Sequence, residues 1–387
     1  MWQAEACFRL HKETFMLILA AILAIFVYGI IAAMLGTILP DLSTRHSLTP
    51  KQNGNIAMSQ AIGLMVGSFF VGPLIDVQGM KTGLLLGLAL IVVALLGLRT
   101  AGGYGAIAGM MFTLGVGGGI VVVGANNMPP HIPVGALSTA GVYNLLNLFF
   151  GLGGLVTPLV AARLFQNNSA RLLVFASGLT GVTLAVHALT EMPAGPTGFQ
   201  VSQVVGLLGE PGLLALAFLL FLYVAAEVGV WNWLARHLIA QGVPEAKALT
   251  VLSLGFALGL LLGRVAVSPV LSTVAPETVL LGAAVLMTVT TYIMLQSASA
   301  NVAWMLVFLG GVAMAPVFPT ALAVVNAKFP AAAATATGIA VTAGWFGLVV
   351  SSPVIGGIAG DDPKRLKKAL LVLPVASLVM VAVSFTL

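Results

Sequence analysis

The 387-residue sequence is 59% hydrophobic and only 7% charged, with a net charge of +5 and a mean hydropathy of +1.10. A soluble domain carries about 25% charged residues, so this surface is expected to face lipid rather than water. The basic residues stand singly between apolar runs, which excludes a nucleic-acid partner and directs them to anionic headgroups, and the lone Cys7 excludes an internal disulfide.

The first apolar run, 15–39, is long enough to span a bilayer and lacks the short core and cleavage pattern of a secretory signal. Further runs follow at 55–75, 82–98, 102–125, 137–162, 170–190, 211–235, 248–273, 277–296, 301–326, 332–357 and 367–386. The second contains Gln60 and leads into Gly72-Pro-Leu-Ile-Asp76-Val-Gln-Gly79-Met-Lys81. The fourth carries Leu114-Gly-Val-Gly-Gly-Gly119 and ends at Asn126 and Asn127, at a membrane edge. In the fifth, Asn144 and Asn147 share a helix face, and Gly151-Leu-Gly-Gly-Leu-Val-Thr-Pro158 follows. The Gly- and Pro-rich stretch 191–210 divides the runs six and six.

The second half echoes the first. Its fourth run holds Leu309-Gly-Gly-Val-Ala313 and its fifth holds Gly344-Trp-Phe-Gly-Leu-Val-Val-Ser-Ser-Pro353, at the positions of the Gly-rich segments of the first half. This predicts an all-α membrane protein of twelve transmembrane helices in two pseudo-symmetric six-helix bundles: 1–192, a central linker 193–210, and 211–387. The glycines read as helix-packing faces, where small residues let backbones approach.

Of the acidic residues, only Glu227 falls deep within a run, and among the basic ones only Arg264 lies clearly inside, toward one end. A charge at the bilayer centre costs about 2.5–3.5 kcal/mol on insertion scales, so such a residue is a functional candidate by default. Glu227, Tyr223 and Trp231 recur every four residues on one face of the seventh run. A carboxylate accepts hydroxyl hydrogen bonds and an indole packs on sugar C–H groups, so this face suits a polyol; the carboxyl is equally a place to take up a proton. A purely structural role, hydrogen-bonded to a neighbouring helix, would also accommodate Glu227. Asn144 and Asn147 can donate to and accept from an uncharged hydroxylated ligand, or bond between helices. Gln60, Trp345 and Asn126 are further binding candidates, while Trp304, near a run's end, reads as an interfacial anchor. No P-loop, His-x-x-x-His or paired-carboxylate pattern occurs, so the sequence predicts no enzyme, no metal site and no cofactor beyond a coupling H+ or Na+.

The loop Gly72–Lys81 resembles the G-x-x-x-D-x-x-G-x-[RK] signature of the major facilitator superfamily, and Gly263-Arg264 is similar to its degenerate second copy. The resemblance implies that Asp76 and Arg264 belong to a cytoplasmic gate. Ala315-Pro-Val-Phe-Pro-Thr320, Ala226-Glu227-Val-Gly and Asn144-Leu-Leu-Asn147-Leu-Phe-Phe-Gly151 are similar to segments of the fucose permease group of bacterial sugar transporters. That likeness implies a monosaccharide site at the centre of the bilayer, in a protein of the inner membrane acting as a monomer with both termini cytoplasmic. It departs in having Gly36 and Val122 where the group has acidic residues tied to proton coupling. Under that topology only Arg9, Lys12, Lys81, Arg264 and Lys328 of the 16 basic residues face the cytoplasm, opposite to the positive-inside tendency. The leading reading is a secondary transporter of a small polar solute, most simply a monosaccharide. Proton-driven efflux of amphipathic compounds by the same fold, and a non-transporting membrane sensor or scaffold, stay open.

Overall fold

The computed structural model describes residues 2–133, 135–195, 199–296, 300–360 and 363–387, with side chains except at 2–11, 300–301 and 363–364. Linker residues 196–198 and the side chains of Cys7, Arg9 and Lys364 therefore lie outside the described residues.

Twelve spans, each long and apolar enough to cross a membrane, follow in chain order. They are α1 (Trp2–Arg45), α2 (Pro50–Gln78), α3 (Met80–Thr100), α4 (Tyr104–Ala125), α5 (Thr139–Arg163) and α6 (Ser169–Leu189), then α7 (Pro211–Ala240), α8 (Glu245–Val270), α9 (Pro276–Met294), α10 (Val302–Lys328), α11 (Pro330–Ala359) and α12 (Arg365–Ser384). No strand occurs among the described residues.

The ends follow local chemistry. Thr49 caps α2 in a reciprocal box: Gln52 N–H donates to its hydroxyl at 3.3 Å, and Thr49 N–H donates to Gln52 Oε1 at 2.8 Å. Gly79 separates α2 from α3 with φ +88° while its N–H closes on the Ile75 carbonyl at 2.7 Å, a backbone conformation that side chains disfavour. At the start of α6, Asp41 accepts from Ser169 N–H at 3.0 Å and pairs with Arg45 at 2.6 Å, so a carboxylate meets the positive helix end.

Three spans depart from simple helices. α10, expected unbroken over 301–326, is interrupted at Ala315 and Pro316, leaving helices Ala300–Met314 and Val317–Lys328. Pro316 has no N–H to donate, and its ring displaces the preceding turn. α8 opens into a π turn at Val251–Phe256, a widening that recurs at functional sites. α12 restarts at Val372 after a turn at Leu370 and Leu371, with Pro374 in the first turn of the new helix.

Glycine seams make the internal duplication concrete. Gly63 on α2 and Gly115 on α4 sit so close to the opposite backbone that an added Cβ would overlap Phe112 O and Gln60 O, respectively. The counterpart seam in the second half joins α8 to α10, where a Cβ on Gly259 would overlap Phe308 O and one on Gly311 would overlap Phe256 O. Likewise Gly153 of α5 lies on Phe26 of α1, and Gly347 of α11 lies on Phe221 of α7. In lipid, where burial of apolar surface drives little association, such backbone approach supplies dispersion contacts instead. Phe70, Leu189, Phe218, Leu286 and Leu378 stand exposed, as an outer face solvated by lipid requires.

The chain forms two compact units, each drawing on both sequence halves. The first comprises Met1–Gly135, Phe149–Leu207 and Asn326–Thr342; the second comprises Ala136–Leu148, Leu208–Val325 and Ala343–Leu387.

Candidate functional site: a polar cluster and two latches

The second unit holds a polar cluster assembled from α5, α7, α8 and α10. Helical spacing puts Tyr223, Glu227 and Trp231 one turn apart on α7; Tyr223 is buried, the other two half-buried. Trp231 packs edge-on against Phe256, ring centroids 5.1 Å apart, at the end of the π turn of α8. Two turns further on, Arg264 is 4% exposed, and its guanidinium Nη1 donates to the Asn147 carbonyl at 2.6 Å. The Tyr223 phenol lies close enough to Glu227 and Arg264 to be electrostatically coupled to both. One turn before Asn147 on α5 lies the fully buried Tyr143, whose carbonyl accepts from Asn147 Nδ2 at 2.9 Å. Asn144 Nδ2 donates to Thr320 Oγ1 at 2.9 Å, just past the break in α10. The Tyr143 hydroxyl and Asn144 Oδ1 are buried without a hydrogen-bond partner. Leaving a polar group in that state costs about 1–3 kcal/mol, so such a concentration points to a place built to receive polar atoms.

Below this cluster the same unit carries a latch. Ser138, at the start of α5, donates through Oγ to the Leu271 carbonyl at 2.7 Å, and its N–H donates to Ser272 Oγ at 3.1 Å, at the end of α8. A Cβ on Gly141 would lie 2.6 Å from the Ser268 carbonyl oxygen, so only glycine allows this approach.

The first unit carries the other. Asp76, 2% exposed, caps the N-terminus of α11. Its Oδ1 accepts from Ala334 N–H at 3.1 Å, and Oδ2 accepts from Thr335 N–H at 2.8 Å and Thr335 Oγ1 at 2.6 Å. A carboxylate at a helix N-terminus meets the free N–H groups and the positive dipole end together. Gly72 permits the approach, since a Cβ there would lie 2.6 Å from Thr335 Cα.

Of the sequence candidates, Glu227, Asn144, Asn147 and Arg264 are brought into one unit: Arg264 meets the Asn147 carbonyl, and Tyr223 lies beside both Glu227 and Arg264. Trp231 borders them through Phe256. Trp345 is buried on α11. Gln60 and Asn126 are buried in the first unit, Gln60 reaching the Ile31 carbonyl at 3.5 Å and Asn126 donating to Val122 O of its own helix at 2.8 Å. Arg264, which the family resemblance implied belongs to a cytoplasmic gate, lies buried in the second unit with its guanidinium on the Asn147 carbonyl. Sequence reasoning did not single out Thr320, Thr335, Ser138 or Ser272. Thr320 had a signal, its position four residues after the helix-breaking Pro316; Thr335 had none, being 259 residues from the carboxylate it meets. Among the described residues no group of His, Cys, Asp and Glu is arranged to hold a metal.

Duplicated six-span halves, a broken helix and a buried polar cluster with side-chain latches define a membrane transporter. The chain belongs to the major facilitator superfamily, whose family profile matches residues 21–385. It is similar to the protein TsgA homolog of Enterobacter sp. (strain 638), 24% identical over 344 residues covering 86% of this chain and 85% of that protein. It is also similar to protein TsgA of Salmonella arizonae, 24% identical over 288 residues covering 73% and 72%. Among solved structures, it resembles the transporter FucP in its outward conformation, with TM-score 0.83, 17% identity and coverage of 97% of this chain and 99% of that one. The proton:xylose symporter XylE bound to 6-bromo-6-deoxy-D-glucose gives TM-score 0.80, 14% identity and coverage of 97% and 96%. At these identities the structural likeness shows the fold.

Proposed function

We propose that the protein is a secondary transporter that moves a monosaccharide by alternating access, with Glu227 as the group that takes up the coupling proton. The observation that carries this reading is the cluster of Glu227, Tyr223, Arg264, Asn144 and Asn147: polar groups that are expensive in an apolar bundle, set beside the Tyr143 hydroxyl and Asn144 Oδ1, which have no internal partner. Trp231, half-buried beside this face, supplies an aromatic surface for sugar C–H groups. The solved structures it resembles include a fucose:proton and a xylose:proton symporter, and that fold supports the same class of work here. The sequence halves 1–192 and 211–387, joined by 193–210, are the bodies that rock. In this reading, with both termini inside, the Asp76 latch lies at the cytoplasmic end of α2 and the Ser138 latch at the cytoplasmic end of α8. The protein acts as a monomer in the inner membrane of a bacterial cell with both termini inside.

The test is uptake into proteoliposomes under an inward proton gradient, with a panel of monosaccharides and their derivatives. Accumulation in wild type that collapses with Glu227→Gln, while solute exchange persists, is the expected result. No flux of any panel member under either gradient direction would refute the reading.

A further inference from the structure

At the far end of α7, away from the polar cluster, an imidazole and an amide of the second unit meet on one backbone carbonyl. His237, 2% exposed, lies in the last turn of α7. Its Nε2 is 3.3 Å from the carbonyl oxygen of Leu295, which closes α9, and 3.0 Å from Nε2 of Gln241, one turn on. The Gln241 nitrogen is 3.4 Å from the same carbonyl, and its Oε1 is buried with no hydrogen-bond partner. A carbonyl only accepts, an amide NH2 only donates, and an imidazole nitrogen does either according to its proton. With a bare Nε2, Gln241 gives one hydrogen to the ring and the other to Leu295, so the amide ties α7 to α9. With a proton on Nε2, two donors face each other. The amide then turns over to present Oε1, and the imidazolium itself donates to Leu295. Each state leaves one end of the amide without a partner, so neither wins by count, and the proton decides. Protonation also exchanges a neutral bond for a charge-assisted one. Of the charged and titratable groups on the neighbouring elements, α12 brings Lys367, half-buried and within electrostatic reach of the ring, and the exposed Arg365 and Lys368. α9 brings the exposed Tyr292, with Glu277 at its opposite end. α8 begins with the exposed Glu245 and Lys247, and α11 carries none over its helix 333–359. On α7 itself Arg236 is exposed, its guanidinium 5.6 Å over the Trp233 ring.

We infer that His237, Gln241 and the Leu295 carbonyl form a proton-operated clasp between the ends of α7 and α9, looser when the ring is neutral and tighter when it is protonated. With both termini inside, as in the transport reading above, this corner lies on the outer face, and the clasp responds to acidity outside the cell. Glu227 stands ten residues earlier on the same helix, about 15 Å away at 1.5 Å per residue. The clasp therefore acts on how firmly α7 is held, not on what is carried.

The experiment is hydrogen–deuterium exchange on the purified full-length protein at about pH 8 and about pH 5, which bracket the ordinary imidazole titration, with rates corrected for the intrinsic effect of pH. Peptides covering 238–243 and 291–296 are expected to gain roughly three- to thirtyfold in protection at the lower pH, the step from a neutral to a charge-assisted hydrogen bond. His237→Gln should remove that gain. Gln241→Leu should enlarge it, because the neutral tie is lost while the imidazolium bond to Leu295 remains. Nitrogen-15 spectra of labelled histidines, with the His237 signal identified by its loss in His237→Gln, read the ring's proton directly. The wild-type comparison stands even where a variant fails to fold. Protection at both peptides that does not change with pH would overturn the inference, as would a gain that persists in His237→Gln or a ring still neutral at the lower pH. Proton-driven uptake through Glu227 is measured separately and would survive each of these failures.

Discussion

Asp76→Asn keeps the side chain's size and removes its charge. In the wild type the carboxylate accepts three bonds from the start of α11, at 3.1, 2.8 and 2.6 Å, from a site only 2% exposed. The amide has a single acceptor oxygen; its NH2 must face either the Ala334 N–H or the paired Thr335 donors. At least one bond is lost, and the others change from charge-assisted to neutral. Hydrogen bonds to charged groups contribute about 1.5–3 kcal/mol and neutral ones about 0.5–1.5. Because the three share one carboxylate and are not additive, the loss is about 2–4 kcal/mol. At 1.4 kcal/mol per decade, the open population at this latch rises roughly thirty- to several-hundredfold. Hydrogen–deuterium exchange on the peptide covering 333–342 reads it directly, since two of the three donors are its own amide N–H groups. Thr335→Val removes only the hydroxyl bond and should give about half the effect on a logarithmic scale. Exchange within threefold of wild type in Asp76→Asn, with the protein still folded, would refute the assignment of Asp76 as a latch.

Four further outcomes follow from the same geometry. Glu227→Gln, at a half-buried position, should leave the melting temperature within a few degrees and abolish proton-driven accumulation in proteoliposomes. Thr320→Val takes away the acceptor of Asn144 Nδ2 and should destabilise by about 1–2 kcal/mol, measured as a lower midpoint in thermal unfolding. Gly347→Val would force a side chain into the Phe221 carbonyl; overpacking of this kind costs about 1–3 kcal/mol or more, and light scattering on heating should report it. Gly141→Val would press on the Ser268 carbonyl at the second latch, so a cysteine placed at Ser272 should react faster with an impermeant maleimide.

Much of the architecture was legible because it is written locally. Lipid as solvent demands long apolar helices, and the run lengths alone located all twelve. The Gly-rich fourth and fifth runs of each half pointed to the seams now seen at Gly115, Gly153, Gly311 and Gly347. Glu227 stood out because a lone acid in such a run is rare. What sequence distance hides is different in kind. Asp76 meets Thr335, and Arg264 meets the Asn147 carbonyl, across 259 and 117 residues, and no local pattern encodes either pairing. Arg264 was read as lying inside its run, toward one end, and α8 does continue past it to Val270; what no local pattern gave was the α5 carbonyl that its guanidinium meets. The interruption of α10 was foreshadowed by Pro316, but hydropathy is blind to it, because proline and alanine keep the run apolar.

The glycine seams also sort the molecule by what can come apart. Where α2 meets α4, or α8 meets α10, backbone touches backbone, and no rotamer change can loosen the joint; each pair behaves as a welded plank. Asp76 and Ser138 add side-chain hydrogen bonds to a close approach at a single glycine, Gly72 or Gly141, like hasps that lift without bending the wood. Substitutions at the welds should therefore alter yield and melting temperature, whereas substitutions at the hasps should alter kinetics, and a random library scored for both would separate into those two groups.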